Sequence, residues 1–127
     1  MSYLLDTHTF IWGQANDLRL GPATIEIMVD PSAPVYLSVA SAWEMSIKAA
    51  RGRLEVPDDL GAILDEAGFD VLTIDLRHTD EVRRLPLHHK DPFDRMLVAQ
   101  ARVEGLALVT SDPAMAAYDV DLIDARL

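Results

Sequence analysis

The sequence has no cysteine. That excludes disulfides, thiolate metal sites and a cysteine nucleophile, and is compatible with a reducing compartment. Long apolar runs are also missing. No stretch approaches the roughly 20 residues needed to span a bilayer. The first apolar stretch, Tyr3 to Leu5, is cut short by Asp6 and His8, too early for the core of a signal peptide. A soluble, cytoplasmic protein with no membrane association is expected. Positive charge is scarce, with 11 Lys and Arg against 21 Asp and Glu, a net charge of −10. Proteins that bind nucleic acid unaided carry a basic footprint, because much of their affinity comes from phosphate contacts. This balance instead favours bound divalent cations, a basic partner, or both. There is no internal repeat, low-complexity segment or linker. The 127 residues, half of them hydrophobic, suit one domain over residues 1–127 with one real core.

Short apolar runs alternate with helix-like segments. Tyr3–Leu5, Val35–Leu37, Val71–Ile74 and Ala107–Val109 read as strands, with a short fifth around Leu122–Ile123. None alternates polar with apolar residues, as befits strands buried on both faces of a parallel sheet. Helices are expected over Thr24–Val29, Val39–Ala50, Leu60–Ala67 and Thr79–Leu85, and from Asp91-Pro92 to Glu104. Val39, Trp43, Ile47 and Ala50 form the expected apolar face of the second of these. Asp91 as cap, Pro92 at the first position and Gly105 beyond the end punctuate the last. The alternation predicts a three-layer α/β/α domain around a mainly parallel sheet.

In such folds sites form beyond the carboxyl ends of the strands. Asp6 ends the first strand, and Asp112 follows the fourth, past Thr110 and Ser111. If those strands are neighbours, the two carboxylates approach. Asp94 lies in the first turn of the last long helix, where free N–H groups favour an anion. Glu44 lies one position off the apolar stripe of its helix. Four gathered carboxylates would repel, so some should hold protons or bind cations. Oxygen-only ligands suit Mg²⁺ or Mn²⁺. Each acid also has a purely structural explanation. Asp6 could cap a following helix. Ser41-Ala42-Trp43-Glu44 matches a capping box, and Glu44 could pair with Lys48 one turn on. Asp94 stabilises its own helix end, and Asp112 before Pro113 opens a turn.

The words around these acids carry a resemblance. Leu4-Leu5-Asp6-Thr7-His8, the run from Ser38 to Lys48 with Ser41-Ala42-Trp43-Glu44 at its centre, Asp91-Pro92-Phe93-Asp94-Arg95-Met96-Leu97-Val98-Ala99-Gln100-Ala101, and Val109-Thr110-Ser111-Asp112 occur in this order. Together they resemble the PIN-domain family, specifically its VapC-like toxins, over nearly the whole chain. The resemblance implies a compact α/β sandwich and a Mg²⁺- or Mn²⁺-dependent endoribonuclease that cuts RNA by metal-assisted hydrolysis. It also implies a homodimer and a small antitoxin, encoded beside the toxin, that covers the acidic pocket. By the same resemblance Asp6, Glu44, Asp94 and Asp112 form the catalytic acidic quartet. Asp6, Glu44 and Asp94 are the main metal ligands, and Asp112 completes the site or helps hold a second ion. Thr110 supports the ligands without touching the metal.

Other residues have blander readings. Asp91 is taken as the helix cap, although it and Asp94 could exchange roles. His88 and His89, adjacent in a loop, cannot easily face one ion and are read as surface. His8 is read as packing or hydrogen bonding near the site. Trp12 and Trp43 are expected in the core rather than as platforms for bases. Arg95, Lys48 and Lys90 are the nearest basic candidates for RNA, with solvated surface or structural ion pairs as the alternative. Two further functions compete with the nuclease. A phosphoryl-transfer domain would use Asp6 as nucleophile, but the second Asp typical of aspartyl-phosphate enzymes is replaced here by His8. A catalytically silent PIN-like scaffold would show loss of an acid, and all four are present.

Overall fold

The computed structural model describes residues 1–127. Five strands form one sheet in the order β3-β2-β1-β4-β5, and every pairing is parallel. They are β1 (Tyr3–Leu5), β2 (Val35–Ser38), β3 (Asp70–Leu72), β4 (Ala107–Thr110) and β5 (Leu122–Asp124). Six α-helices surround them: α1 (Thr7–Ala15), α2 (Pro22–Val29), α3 (Val39–Ala50), α4 (Leu60–Ala67), α5 (Leu76–Arg84) and α6 (Pro92–Glu104). A 3₁₀ turn covers Pro113–Ala117.

The uninterrupted apolar strands are explained by two cores, one on each face of the sheet. Leu5, Val35, Leu37 and Val109 pack with Phe10, Trp12, Met45 and Leu64 of α1, α3 and α4. Their strand neighbours Leu4 and Leu108 point the other way and pack with Leu85, Leu97, Val98 and Ala101 after α5 and on α6. Period-2 side-chain alternation thus serves both faces at once. The layered α/β expectation holds, and no helix is long and apolar enough to cross a membrane. The chain leaves β1 for β2 and β3 on one side, then crosses to β4 and β5 on the other. The reversal falls between β1 and β4, where Leu5 is in register with Val109. A parallel α/β sheet opens its crevice at such a point.

Four local expectations need correction. The third strand ends at Leu72 rather than continuing to Ile74. The helix expected from Thr79 begins at Leu76, because Asp75 caps it in a capping box whose N3 residue is His78. Histidine is not the usual Glu or Gln of that motif, so the signal is easily passed over. The helix after Asp6 is a full element, α1, whose apolar residues form no stripe.

The largest difference concerns α3. Its buried residues are Ala40, Ser41, Glu44 and Met45, while Val39 and Trp43 are exposed, Trp43 by 60%. The apolar stripe therefore faces outward, and Trp43 rests edge-on against Phe93 at 5.1 Å between ring centroids. Trp12 is buried as expected. The cap of α3 is Ser38, which accepts from the Ala40 N–H, so Ser41 and Glu44 lie inside the helix and form no capping box.

Arg95 is neither a solvated cation nor half of an ion pair. It is only 9% exposed. Its guanidinium donates to the backbone carbonyls of Pro86, Val82 and Leu85 and to the Tyr118 hydroxyl, at 2.7 to 3.3 Å. It closes the carboxyl end of α5, whose last carbonyls have no partner within the helix. Arg95→Ala removes the side-chain donor from the Leu85 and Pro86 carbonyls and empties a buried site, and should destabilise the protein by on the order of 3 kcal/mol. Denaturant unfolding measures this; a loss below about 1 kcal/mol would mean that water replaces the guanidinium without cost.

Candidate metal centre

The β1–β4 crevice is lined by side chains that serve two purposes each. Asp6 follows β1 directly and is buried. Its Oδ1 accepts from the Thr9 N–H at 2.8 Å, capping α1, and its Oδ2 accepts from the Thr110 hydroxyl at the end of β4. The Thr110 oxygen in turn accepts from the Asp112 N–H at 3.1 Å. One hydroxyl therefore joins the ends of the two central strands. It fixes Asp6 from one side and the backbone of Asp112 from the other.

Glu44 reaches the crevice from the inward face of α3. Its Oε1 accepts from the buried Thr7 hydroxyl at 2.6 Å and its Oε2 from Lys48 at 2.9 Å. Thr7 thus orients Glu44, a part that its place in the sequence did not signal. Ser41, one turn before Glu44, is fully buried with a hydroxyl that has no hydrogen-bond partner. Asp91 caps α6, accepting from the N–H groups of Phe93 and Asp94 at 2.8 and 3.2 Å. That leaves the Asp94 side chain free of the capping role.

Asp94 and Asp112 meet at a histidine. His89 Nε2 lies 3.3 Å from Asp94 Oδ2 and 3.1 Å from Asp112 Oδ2. The ligand atoms of these three residues all lie within 4.8 Å of one another, a group that does not include Asp6 or Glu44. The surface reading thus holds for only one of the two loop histidines. His88 packs edge-on against Tyr118, whereas His89 turns into the site. Adjacent side chains diverge, and that same fact makes a shared ion implausible while leaving one ring free to enter. His8 is exposed rather than packed, and it acts on Asp112 through its charge.

The electrostatics separate the two acids. Burial, and then the negative charges of Asp91, Glu44 and Asp6, push Asp94 from 3.8 up to about 7, against the opposing pull of His89. Burial also raises Asp112, but the Ala114 N–H and the hydrogen bond from His89, with the charge of His8, outweigh it and hold Asp112 below its ordinary value. Near neutral pH one carboxyl is half protonated while its neighbour is ionised. Asp6 and Glu44 are close enough for their charges to act on Asp94, while Asp112 approaches Asp94 through His89.

The donor set fits a hard divalent cation. The four acids offer oxygen ligands and a surplus of negative charge with little local cation to match it, which suits Mg²⁺ or Mn²⁺. Lys48 is held by Glu44 and Arg95 by backbone carbonyls, so neither can neutralise the pocket as a whole. The largest cavity, about 720 Å³, lies elsewhere, between the ends of α1, α2 and α4, and none of the four acids lines it. Chemistry rather than volume marks the site.

Over residues 3–121 the sequence matches the PIN domain family. No curated protein matches it. Among solved structures, a chain of a toxin–antitoxin complex from Klebsiella pneumoniae is 16% identical with a TM-score of 0.66, covering 98% of both chains. VapBC2 from Rickettsia felis, bound to a DNA fragment from its promoter, gives 13% identity and a TM-score of 0.73 over 97% of this chain and 98% of that one. VapBC-1 from nontypeable Haemophilus influenzae gives 20% and 0.66, covering 98% of both chains. At these identities the likeness is one of fold.

The raised Asp94 value has a consequence for stability. Between pH 3.8 and about 7 the folded protein keeps a proton that the unfolded chain has released. Stability of the metal-free protein therefore falls as pH rises through this window. Asp94→Asn should flatten that fall in EDTA and melt at a higher temperature than the parent at about pH 8, above both values. Identical pH profiles for the two proteins would mean that Asp94 is ionised throughout.

Proposed function

Because the chain belongs to the PIN-domain family, we propose that it is a divalent-metal-dependent endoribonuclease, the toxin of a toxin–antitoxin pair. The observation that supports this reading is Asp94, driven to about 7 by burial and by the charges of Asp91, Glu44 and Asp6, beside Asp112 at the mouth of the β1–β4 crevice. Folding tolerates such a cost where function requires it.

Asp6, Glu44 and Asp94 would hold Mg²⁺ or Mn²⁺ directly or through water, and Asp112 would complete the site. When bound, the ion supplies an activated water and stabilises the leaving oxygen of a phosphodiester. The protein's own part is positioning. Thr7 fixes Glu44, Thr110 fixes Asp6, and the Ala114 N–H fixes Asp112. Asp94 holds a proton in the metal-free state and must release it to become a ligand, so cation binding should strengthen as pH rises through about 7. Lys90 is exposed and is the one of the three basic candidates left to meet a phosphate. Few phosphate contacts imply a shallow salt dependence of RNA binding. The phosphoryl-transfer alternative is disfavoured, because the second Asp typical of aspartyl-phosphate enzymes is replaced here by His8.

The antitoxin belongs to the same reading. Solved structures of this fold include toxin–antitoxin complexes, and a surplus of ten negative charges with an acidic pocket suits a basic side chain from a partner. Pairing of two copies is part of the proposal, carried by the family resemblance.

Purified, antitoxin-free protein should cut a long labelled RNA with Mg²⁺ or Mn²⁺ and not with EDTA. Asp6→Asn and Asp94→Asn should each lower the rate by on the order of a hundredfold or more while the fold persists. Cutting at the parental rate by either variant would remove that residue from the site, and metal-independent cutting would sink the mechanism. Titration of the cognate antitoxin should compete with Mn²⁺. Independent, additive binding would exclude occlusion of the pocket.

A further inference from the structure

We propose that His89 is a positioning residue that draws the Asp94 and Asp112 carboxylates together for a cation, and is not itself a ligand of that cation. The inference rests on the metal-dependent reading above and adds a fifth residue to the site. At first sight His89, Asp94 and Asp112 look like a three-ligand set, since their ligand atoms lie within 4.8 Å of one another. The far side of the imidazole decides otherwise. His89 Nδ1 accepts a hydrogen bond from the Asp91 backbone N–H at 3.1 Å.

A backbone amide can only donate, so Nδ1 must present its lone pair. A neutral imidazole carries one donor nitrogen and one acceptor nitrogen. With the acceptor committed to Asp91, Nε2 carries the proton, and it donates to the ionised Asp112 carboxylate. The opposite tautomer would set two N–H groups against each other behind the ring and a lone pair against the Asp112 anion in front. A metal ligand needs a free lone pair facing the ion, and His89 has none on that side.

What the ring offers instead is one N–H that bonds Asp112 and lies beside Asp94, two acids of different elements. Asp94 stands on α6 and Asp112 follows β4, and like charge would drive them apart. The Nε2–H donates to Asp112 Oδ2 at 3.1 Å and stands 3.3 Å from Asp94 Oδ2, so its positive end lies between the two carboxyls and opposes that separation. The ring is held against recoil. Behind it the His89 backbone N–H donates to the Tyr118 hydroxyl at 2.9 Å, and that hydroxyl also accepts from Arg95. Groups that orient metal ligands in this way typically change metal affinity by roughly 10- to 100-fold when removed.

The test is Mn²⁺ binding by calorimetry to the full chain, comparing the parent with His89→Ala, His89→Leu and His89→Gln, with metal-free melting temperatures recorded alongside. Alanine should weaken binding by roughly tenfold. Leucine, which keeps bulk without a donor, should do the same, and it carries the comparison if the alanine variant does not fold. Glutamine, whose amide N–H reaches about as far as Nε2, should recover most of the affinity. In RNA cleavage the alanine variant should need more Mn²⁺ yet approach the parental rate at saturation. Equal or tighter Mn²⁺ binding by the alanine and leucine variants overturns the proposal. Glutamine as weak as alanine overturns it too, in favour of direct ligation. A parent that binds no Mn²⁺ would instead refute the metal-dependent function, a separate and recognisable failure.

Discussion

Repulsion among carboxylates at the mouth of the β1–β4 crevice is the constraint around which this protein is arranged. The strand order places the ends of the two central strands side by side, and α3 and α6 bring two more acids to the same opening. Without opposing forces such a cluster would spread or pull its helices away. The opposing forces are specific. Asp6 is gripped by an amide and a hydroxyl, Glu44 by Thr7 and Lys48, and Asp112 by Ala114 and His89. Asp94 retains a proton to near neutrality. Each side chain lowers the electrostatic cost by a different route, and each route also fixes its direction.

The structural and functional explanations of the acids are therefore not rivals. Asp6 caps α1 and Asp112 caps the 3₁₀ turn, yet both still face the crevice. Each carboxylate oxygen has two lone pairs, so a group can satisfy its neighbours in the fold and still present an acceptor to the site. Only at α6 are the tasks divided between residues, with Asp91 capping and Asp94 left available. That division also raises Asp94, because the cap adds a second negative charge close by.

Much of this was legible in the sequence, for reasons that can be named. Buried parallel strands advertise themselves by uninterrupted apolar runs, and Asp-Pro at one end with Gly at the other frames α6. Asp6 and Asp112 were placed by their positions just beyond strands. What escaped were features set by tertiary contact. The apolar stripe of α3 points outward because its inward face must carry Glu44 and Ser41 to the crevice, so the usual equation of apolar with buried fails there. Arg95 looked like a surface cation next to an acid, and only the fold shows the open carbonyls of α5 awaiting it. His89 was hidden by its twin, because nothing local distinguishes a histidine packed on Tyr118 from one turned toward two aspartates.

The double duty of Asp6 and Asp112 also limits how such a protein can decay. A lineage that no longer needs the chemistry still needs the caps, since the helix and turn that follow β1 and β4 depend on an oxygen acceptor there. Drift at these two positions should run preferentially to Asn or Ser, which cap without charge, whereas Asp94 and Glu44, which cap nothing, are free to become almost anything. A descendant that has lost its activity would carry an uneven scar, conservative at strand ends and unconstrained on the helices, and the residue that replaced each acid would record which of its two duties had lapsed.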